Sequence, residues 1–292
     1  MSIRKYETFV KVVELGSLTK AAEALGMTQS GVSHIINGIE EDFGFTLLIR
    51  GRGGVRLTDE GERVLPVMRS IVNCSEQLKQ IVDSIHGLDS GTVRVGAFTS
   101  VAVHWLPGMI KGFQEKHPNI EFKLLNGDYH DVEQWLNEGS VDIGFVAMPN
   151  DLSCRCIPLM DDRLLAVLPK DHKHASLEKF PVELAENEAF ITLLESSDHD
   201  SRRALDAAGV KPNIRFTTKD DYAIIAMVEQ GLGISIMPEL LLKGRDGRLK
   251  ALELEPPCSR TIGLAMATSS DDSPATRSFA EYVCNWVKTE YA

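Results

Sequence analysis

The sequence predicts an α/β protein with a small all-α domain at its N-terminus, one long connecting helix, and two α/β lobes behind it. Three observations carry this prediction. Apolar residues recur at helical spacing to about residue 40, a heptad stripe runs through residues 58–86, and short β-rich runs alternate with amphipathic helices beyond residue 91. A chain of 292 residues accommodates two or three domains with real cores. Its composition, 43% hydrophobic and 25% charged, is that of a soluble globular protein. No apolar run approaches the roughly 18 residues of a membrane helix. The first residues, Met-Ser-Ile-Arg-Lys-Tyr-Glu, lack a signal-peptide core. The five scattered cysteines suit reduced thiols, so a cytoplasmic location is expected. With a net charge of −11, any nucleic-acid role must rest on locally placed cations.

Tyr6, Phe9, Val10 and Val13 stand at i, i+3, i+4, i+7 and predict a first helix with one buried stripe. Gly16-Ser17 breaks it, and Ser17 is a suitable N-cap for a second helix burying Leu18, Ala21, Ala22 and Leu25. Gly26 supplies a turn. Thr28 then caps a third helix whose inner face is Val32, Ile35, Ile36 and Ile39. The opposite face carries Ser30, Ser33, His34 and Asn37 at the same spacing, with Gln29 beside them. Two helices joined by a Gly-containing turn, the second with a polar and mostly uncharged face, fit a helix-turn-helix that lies in a major groove; a plain solvated face is the alternative. Leu47-Leu-Ile and Val55-Arg-Leu flank the turn Gly51-Arg-Gly-Gly54, predicting a hairpin that carries Arg50, Arg52 and Arg56. Against this, residues 1–60 hold seven Lys/Arg and eight Asp/Glu, with Glu40, Glu41 and Asp42 at the far end of the third helix.

From Thr58, Val64, Met68, Ile71, Leu78, Val82 and Ile85 keep a heptad spacing across 58–86, a helix about 43 Å long that asks for a partner, here a second copy of the chain. Pro66 is a blemish in it. Gly87 to Gly91 reads as a hinge. Strands are predicted at Thr92–Phe98, Ile120–Leu125 and Val141–Ala147, with helices between them, which implies a parallel sheet covered by helices. Further strands come at Leu164–Leu168, Phe190–Leu193, Ile214–Thr217, Gly233–Met237 and Ile262–Ala267. A helix spans about 221–230, and a last one carries Phe279, Val283 and Trp286.

Taken together, Gly16-Ser-Leu-Thr-Lys-Ala-Ala-Glu-Ala-Leu25, Gln29-Ser-Gly-Val-Ser33, Ile39-Glu-Glu-Asp-Phe-Gly44, Leu47-Leu-Ile-Arg50 and Val55-Arg-Leu-Thr-Asp-Glu-Gly61 resemble the LysR-type transcriptional regulators. Val93-Arg-Val-Gly96, Val141-Asp-Ile-Gly144 and Glu229-Gln-Gly-Leu-Gly-Ile-Ser-Ile-Met-Pro238 extend the resemblance over essentially the whole chain. Leu48 stands where that family commonly has an aromatic, and His34 where it commonly has arginine. The resemblance implies a winged helix-turn-helix domain over 1–57, a linker and dimerisation helix over 58–87, and a periplasmic-binding-protein-like effector domain over 88–292. Lobe 1 would take about 92–161 and 267–292, and lobe 2 about 163–265, with crossovers near 161–163 and 265–267. It also implies double-stranded promoter DNA, a small-molecule effector, RNA polymerase and further copies of the chain, as homodimer or homotetramer, as partners.

On this reading Gln29 pairs with adenine in the major groove, assisted by Ser30, Ser33 and His34. Thr28, Arg50, Arg52 and Arg56 hold phosphates, Arg56 having Asp59 or Glu60 as alternative partners. In open α/β sheets ligands bind beyond the carboxyl ends of strands. Thr99 and Ser100, after the first strand, are placed to grip a carboxylate or similar anion. Asp128, Met148, Thr192 and Asp221 are expected in the same cleft, with helix capping the alternative role for the two aspartates. If both aspartates line the cleft, an effector with a cationic group fits better than a simple diacid.

Cys154-Arg-Cys156 is poorly placed to bridge. His172 and His174 with Asp171, and Asp198-His199-Asp200, lack zinc-site spacing, so neither metal nor cofactor is expected. No nucleophile elbow, phosphate loop or dinucleotide glycine motif is present, and Gly231-Leu-Gly233 precedes a strand, so enzyme activity is not expected. A two-lobed solute-binding protein is the alternative from another class.

Overall fold

The structure, a computed structural model, describes residues 2–51, 54–85, 90–194, 200–245, 247–267 and 273–291. Phe9 and Val12 of α1 (Ile3–Leu15), Ala21 and Ala22 of α2 (Leu18–Ala24), and Val32, Ile36 and Ile39 of α3 (Gln29–Phe43) are buried together. The breaks between these helices are local chemistry. Gly16 ends α1 in the left-handed conformation at φ 58°, Ser17 accepts the Lys20 N–H at 3.3 Å, and Thr28 accepts that of Gly31 at 3.1 Å. Strands β1 (Leu48–Gly51) and β2 (Gly54–Leu57) pair antiparallel as the wing. Leu47 and Leu48 enter the same core, and the Val55 N–H donates to the Gly16 carbonyl at 2.9 Å. A Cβ on Gly54 would stand 2.7 Å from that carbonyl oxygen, so a glycine is needed for the wing to lie so close.

Helix α4 (Asp59–Ile85) is 27 residues long, with Asp59, Glu60 and Glu62 favourably placed in its first turn and Pro66 inside it. Its heptad stripe divides into two parts. Met68, with Leu65 and Val72, is buried against the first domain, so Met68 belongs to that core and not to an intermolecular seam. Ile71, Leu78, Val82 and Ile85 are exposed, Leu78 at 63% and Ile85 at 77%. The helix is also tied to the C-terminal part of the chain. Arg69 pairs with Glu138 at 2.8 Å, Asn73 donates to the Gly139 carbonyl at 3.0 Å, and Ser273 donates to Gln80 at 2.6 Å. Arg94 joins Glu76 and Asp142 at the same junction.

Lobe 1 is built on parallel strands β4 (Asn119–Gly127), β3 (Ser90–Phe98) and β5 (Ile143–Met148), followed by antiparallel β12 (Ser259–Met266) and the first half of β6 (Arg155–Pro169). The sheet is therefore mixed, because β12 returns from the other lobe. Helices α5 (Thr99–His104), α6 (Leu106–Gln114), α7 (Tyr129–Asn137) and α11 (Pro274–Glu290) cover it, over a core that includes Trp105, Phe113, Phe145 and Phe279. The second half of β6 pairs with β10 (Ser235–Pro238) and β11 (Leu249–Glu255), and β11 pairs with β7 (Lys179–Pro181). Strands β8 (Ala189–Leu193) and β9 (Asn213–Thr218) join this lobe through a bridge from Phe190 to Ile234. Helices α8 (Asp200–Ala207), α9 (Asp221–Glu229) and α10 (Glu239–Leu242) complete lobe 2.

β6 passes from one lobe to the other at Arg163, paired with Ser259, and Leu164, paired with Pro238. The return does not fall at 265–267. Strand β12 pairs with β5 from Thr261 to Met266, well inside lobe 1, so the chain has crossed back before Ser259. The reason is Pro256-Pro257, which cannot donate to a ladder and ends β11 there.

Candidate nucleic-acid interface and interlobe cavity

The uncharged stripe of α3 faces outward. Gln29, Ser30, His34 and Asn37 are exposed and Ser33 is half-buried, while Val32, Ile36 and Ile39 on the other side fill the core. The wing is fastened to this stripe. Arg50 donates from Nη1 to the Ser33 hydroxyl at 2.8 Å and from Nη2 to the Asn37 side-chain oxygen at 2.6 Å. Arg50 is thus engaged with the helix rather than held out as a bare phosphate contact, and Ser33 is its acceptor. Thr28 serves as the N-cap and shares a 3.1 Å contact with the Ser30 hydroxyl. Arg56 is exposed and makes no ion pair with Asp59 or Glu60 among the described residues. Arg52 lies outside those residues.

The acids at the end of α3 have structural roles. Glu40 accepts the N–H groups of Leu47 and Leu48 at 2.7 and 3.2 Å, which fixes the entry to the wing. Asp42 pairs with Lys5 at 2.7 Å, and that ammonium holds its carboxyl below the usual carboxylate range.

Between the lobes lies a cavity of about 310 Å³. Thr99, Ser100, Asp128, Thr192 and Asp221 all line it. Met148 does not. It shares a strand face with Val146 and packs with the α7-side cluster of Val132, Leu136 and Ala265, its sulfur lying over Gly263, because alternate residues of a strand point to opposite faces. Asp128 and Asp131 form a reciprocal capping box at the start of α7, with N–H to carboxylate distances of 2.9 and 3.0 Å. Asp220, not Asp221, caps α9, accepting from Tyr222 at 2.8 Å. Asp221 is left facing the cavity, with the Thr99 hydroxyl hydrogen-bonded to its carboxylate. Burial pushes its carboxyl above the usual range, against the pull of Thr99 and of the Arg260 charge. Thr192 is buried, 3.3 Å from the Ser201 hydroxyl.

The centre of the cavity wall is a residue that periodicity does not reveal. Arg260, at the start of β12, is 4% exposed. Its Nε donates to Asp162 at 3.0 Å, Nη2 to Asp162 and to the Ser100 hydroxyl at 2.7 Å each, and Nη1 to the Tyr129 hydroxyl and, at 3.4 Å, to Asp200. The guanidinium lies 4.8 Å from the centre of the Phe98 ring. Tyr129 in turn donates to Asp200 at 2.6 Å, so lobe 1 and lobe 2 are joined across the cavity. Burial opposes the Arg260 charge, but Tyr129, Asp162 and Asp200 outweigh it and raise the pKa above the ordinary guanidinium value. Burial likewise holds the Tyr129 phenol above its usual range. The one signal in the sequence is the lone cation opening Ser-Arg-Thr-Ile-Gly-Leu-Ala-Met.

Elsewhere the polar clusters are self-contained. His172, Lys173 and His174 all converge on Glu188, at 3.3, 2.7 and 3.1 Å. Burial, with Cys156 alongside, pushes the Cys154 thiol up to about 11, away from the reactive thiolate. Among the described residues no group of three or more His, Cys, Asp or Glu side chains is arranged to hold a metal; Asp198 and His199 lie outside them. No helix there is long and apolar enough to cross a membrane.

Comparison with known proteins places these features. The family profile described as "LysR substrate binding domain" matches residues 86–287, and that of "Bacterial regulatory helix-turn-helix protein, lysR family" matches residues 3–62. The chain is 31% identical to the uncharacterized HTH-type transcriptional regulator YvbU of Bacillus subtilis (strain 168), over 96% of this chain and 97% of that protein. Among solved structures it resembles a full-length OxyR variant from Pseudomonas aeruginosa, with a TM-score of 0.80 and 20% identity over 99% of this chain and 95% of that one. It is also similar to full-length CbnR complexed with its target DNA, with a TM-score of 0.66 and 19% identity over 98% of this chain and 99% of that one.

Proposed function

The chain belongs to the LysR family of DNA-binding transcription regulators, and from that premise we propose how its parts divide the work. Helix α3 lies in the major groove of promoter DNA, where the Gln29 amide reads an adenine edge and Ser30 and His34 assist. Arg50 holds the wing against Ser33 and Asn37, Arg52 and Arg56 contact the phosphates, and Thr28 contributes at the helix start. The observation that carries this reading is the exposed, uncharged stripe of α3 braced by Arg50.

The interlobe cavity takes a small effector on Thr99, Ser100, Asp128, Thr192 and Asp221. Effector binding acts by favouring one separation of the lobes, and it shifts the population only by its difference in affinity for the two arrangements. The exposed half of the α4 stripe pairs with a second copy, two such dimers form the tetramer, and RNA polymerase meets the assembly at the promoter in the cytoplasm.

A gel-shift titration on the intergenic DNA upstream of the protein's own gene tests the core of this proposal. Wild type is expected to bind it more tightly than random duplex. Gln29→Ala is expected to lose about 1–3 kcal/mol of that specific affinity while non-specific binding stays level. Equal losses on both duplexes would rule out base reading by Gln29.

A further inference from the structure

The charges around the interlobe cavity select the chemistry of what enters it, and the inference drawn from them rests on the reading of that cavity as the effector site. Six charged side chains line it: Asp128, Asp131, Asp200, Lys219, Asp221 and Arg260. Arg260 is the buried cation among them, and an anionic ligand would be expected to seek it. All five of its N–H groups are already committed, to Asp162, Ser100, Tyr129 and Asp200. Lys219 is exposed at the rim, where solvent screens it. The positive amino ends of α7 and α9 carry the protein's own carboxylates: Asp128 and Asp131 on the first, Asp220 and Asp221 on the second. Of the two hydroxyls placed at the first strand's end, Thr99 is bonded to Asp221, and Ser100 accepts from Arg260 while keeping its own hydrogen.

What the wall leaves uncompensated is negative. The Asp221 carboxylate faces the cavity, with no Lys or Arg in ion-pair distance among the described residues. We propose that the effector carries a cationic nitrogen, a primary ammonium or guanidinium group, which docks on Asp221 with the Thr99 and Thr192 hydroxyls around it. A half-buried carboxylate such as Asp221 gains more from an incoming cation than a fully exposed one, because part of its desolvation is already spent.

Isothermal titration of the full-length protein at constant ionic strength tests this, with 1,4-diaminobutane and agmatine against succinate. The amines are expected to bind saturably and succinate no better than sodium chloride. Asp221→Asn is expected to weaken the amines at least tenfold while melting no lower than wild type, since the isosteric amide removes a desolvated charge. Succinate binding where the amines do not, no heat from either amine, or amine affinity unchanged in Asp221→Asn each overturns the charge assignment. Thr192→Leu, which fills the cavity, separates the two readings. Succinate binding abolished by Thr192→Leu leaves the cavity as the effector site and removes the cation. Amine binding that survives both Thr192→Leu and Asp221→Asn removes the cavity itself.

Discussion

Two arginines show how differently the two functional regions of this molecule are built. Arg50 sits on the outer surface, donates to two neutral acceptors, Ser33 and Asn37, and keeps water at hand. Arg260 is almost wholly buried between two carboxylates, a phenol, a serine and an aromatic face. At the first, the arrangement of hydrogen-bonding groups matters more than its energy. At the second, the energy is large, because each partner would be a stranded polar group without the other. On the proposed reading, a surface that reads DNA must stay open to it, whereas the contacts joining the lobes hold until an effector displaces them.

That contrast can be broken at several points. Arg260→Met leaves the buried Asp162 carboxylate without its cation, while Asp200 keeps Tyr129 and Arg203, and is expected to cost about 3–5 kcal/mol in urea unfolding; a loss below about 1 kcal/mol would mean that the network carries no load. Leu78→Asp, on the exposed half of the α4 stripe, is expected to leave the monomer folded and to shift analytical ultracentrifugation toward it. A mass unchanged by this substitution would place the self-association elsewhere. Arg50→Ala is expected to cost about 1 kcal/mol or less in stability, as exposed hydrogen bonds do, yet to weaken specific DNA binding by freeing the wing. Stability loss without a change in binding would reverse the comparison.

The smallest effect is a matter of sign. The folded-state pKa of Asp221 is raised by burial, so the native state holds its proton more tightly than the unfolded chain does, and the group disfavours folding above the ordinary aspartate pKa. Asp221→Asn is therefore expected to melt slightly higher than wild type near neutrality. The advantage should shrink as pH falls through the ordinary carboxylate range, when the aspartate is protonated in both states. A gain that grows on acidification would show that Asp221 is stabilised, not penalised, where it sits.

The helices of the first domain and the alternation of the lobes are legible because each is a repeat within about a dozen residues that burial follows; the heptad stripe is legible as a long helix, although most of its apolar residues are exposed. The exposed face of α3 was legible for the same reason. Arg260 was not, since its meaning comes from Ser100, Tyr129, Asp162 and Asp200, which no periodicity connects. The tie from Arg50 to Ser33 and Asn37 likewise spans two elements. Met148 lies off the cavity because position after a strand does not say which face its last residues take. The return crossover falls earlier than 265–267 because β11 ends at Glu255, where Pro256-Pro257 marks the break in the sequence.

Strand β6 runs unbroken through both lobes, and Asp162 sits on it one residue before the exchange of partners at Arg163 and Leu164. The guanidinium is bolted to the pivot itself. Any swing of lobe 2 about that point carries Asp200, out on α8, through a longer arc than Asp162. The two contacts that Asp200 makes across the cavity, with Tyr129 at 2.6 Å and with Arg260 at 3.4 Å, are therefore the ones that any change in lobe separation stretches, a built-in gauge of the opening angle.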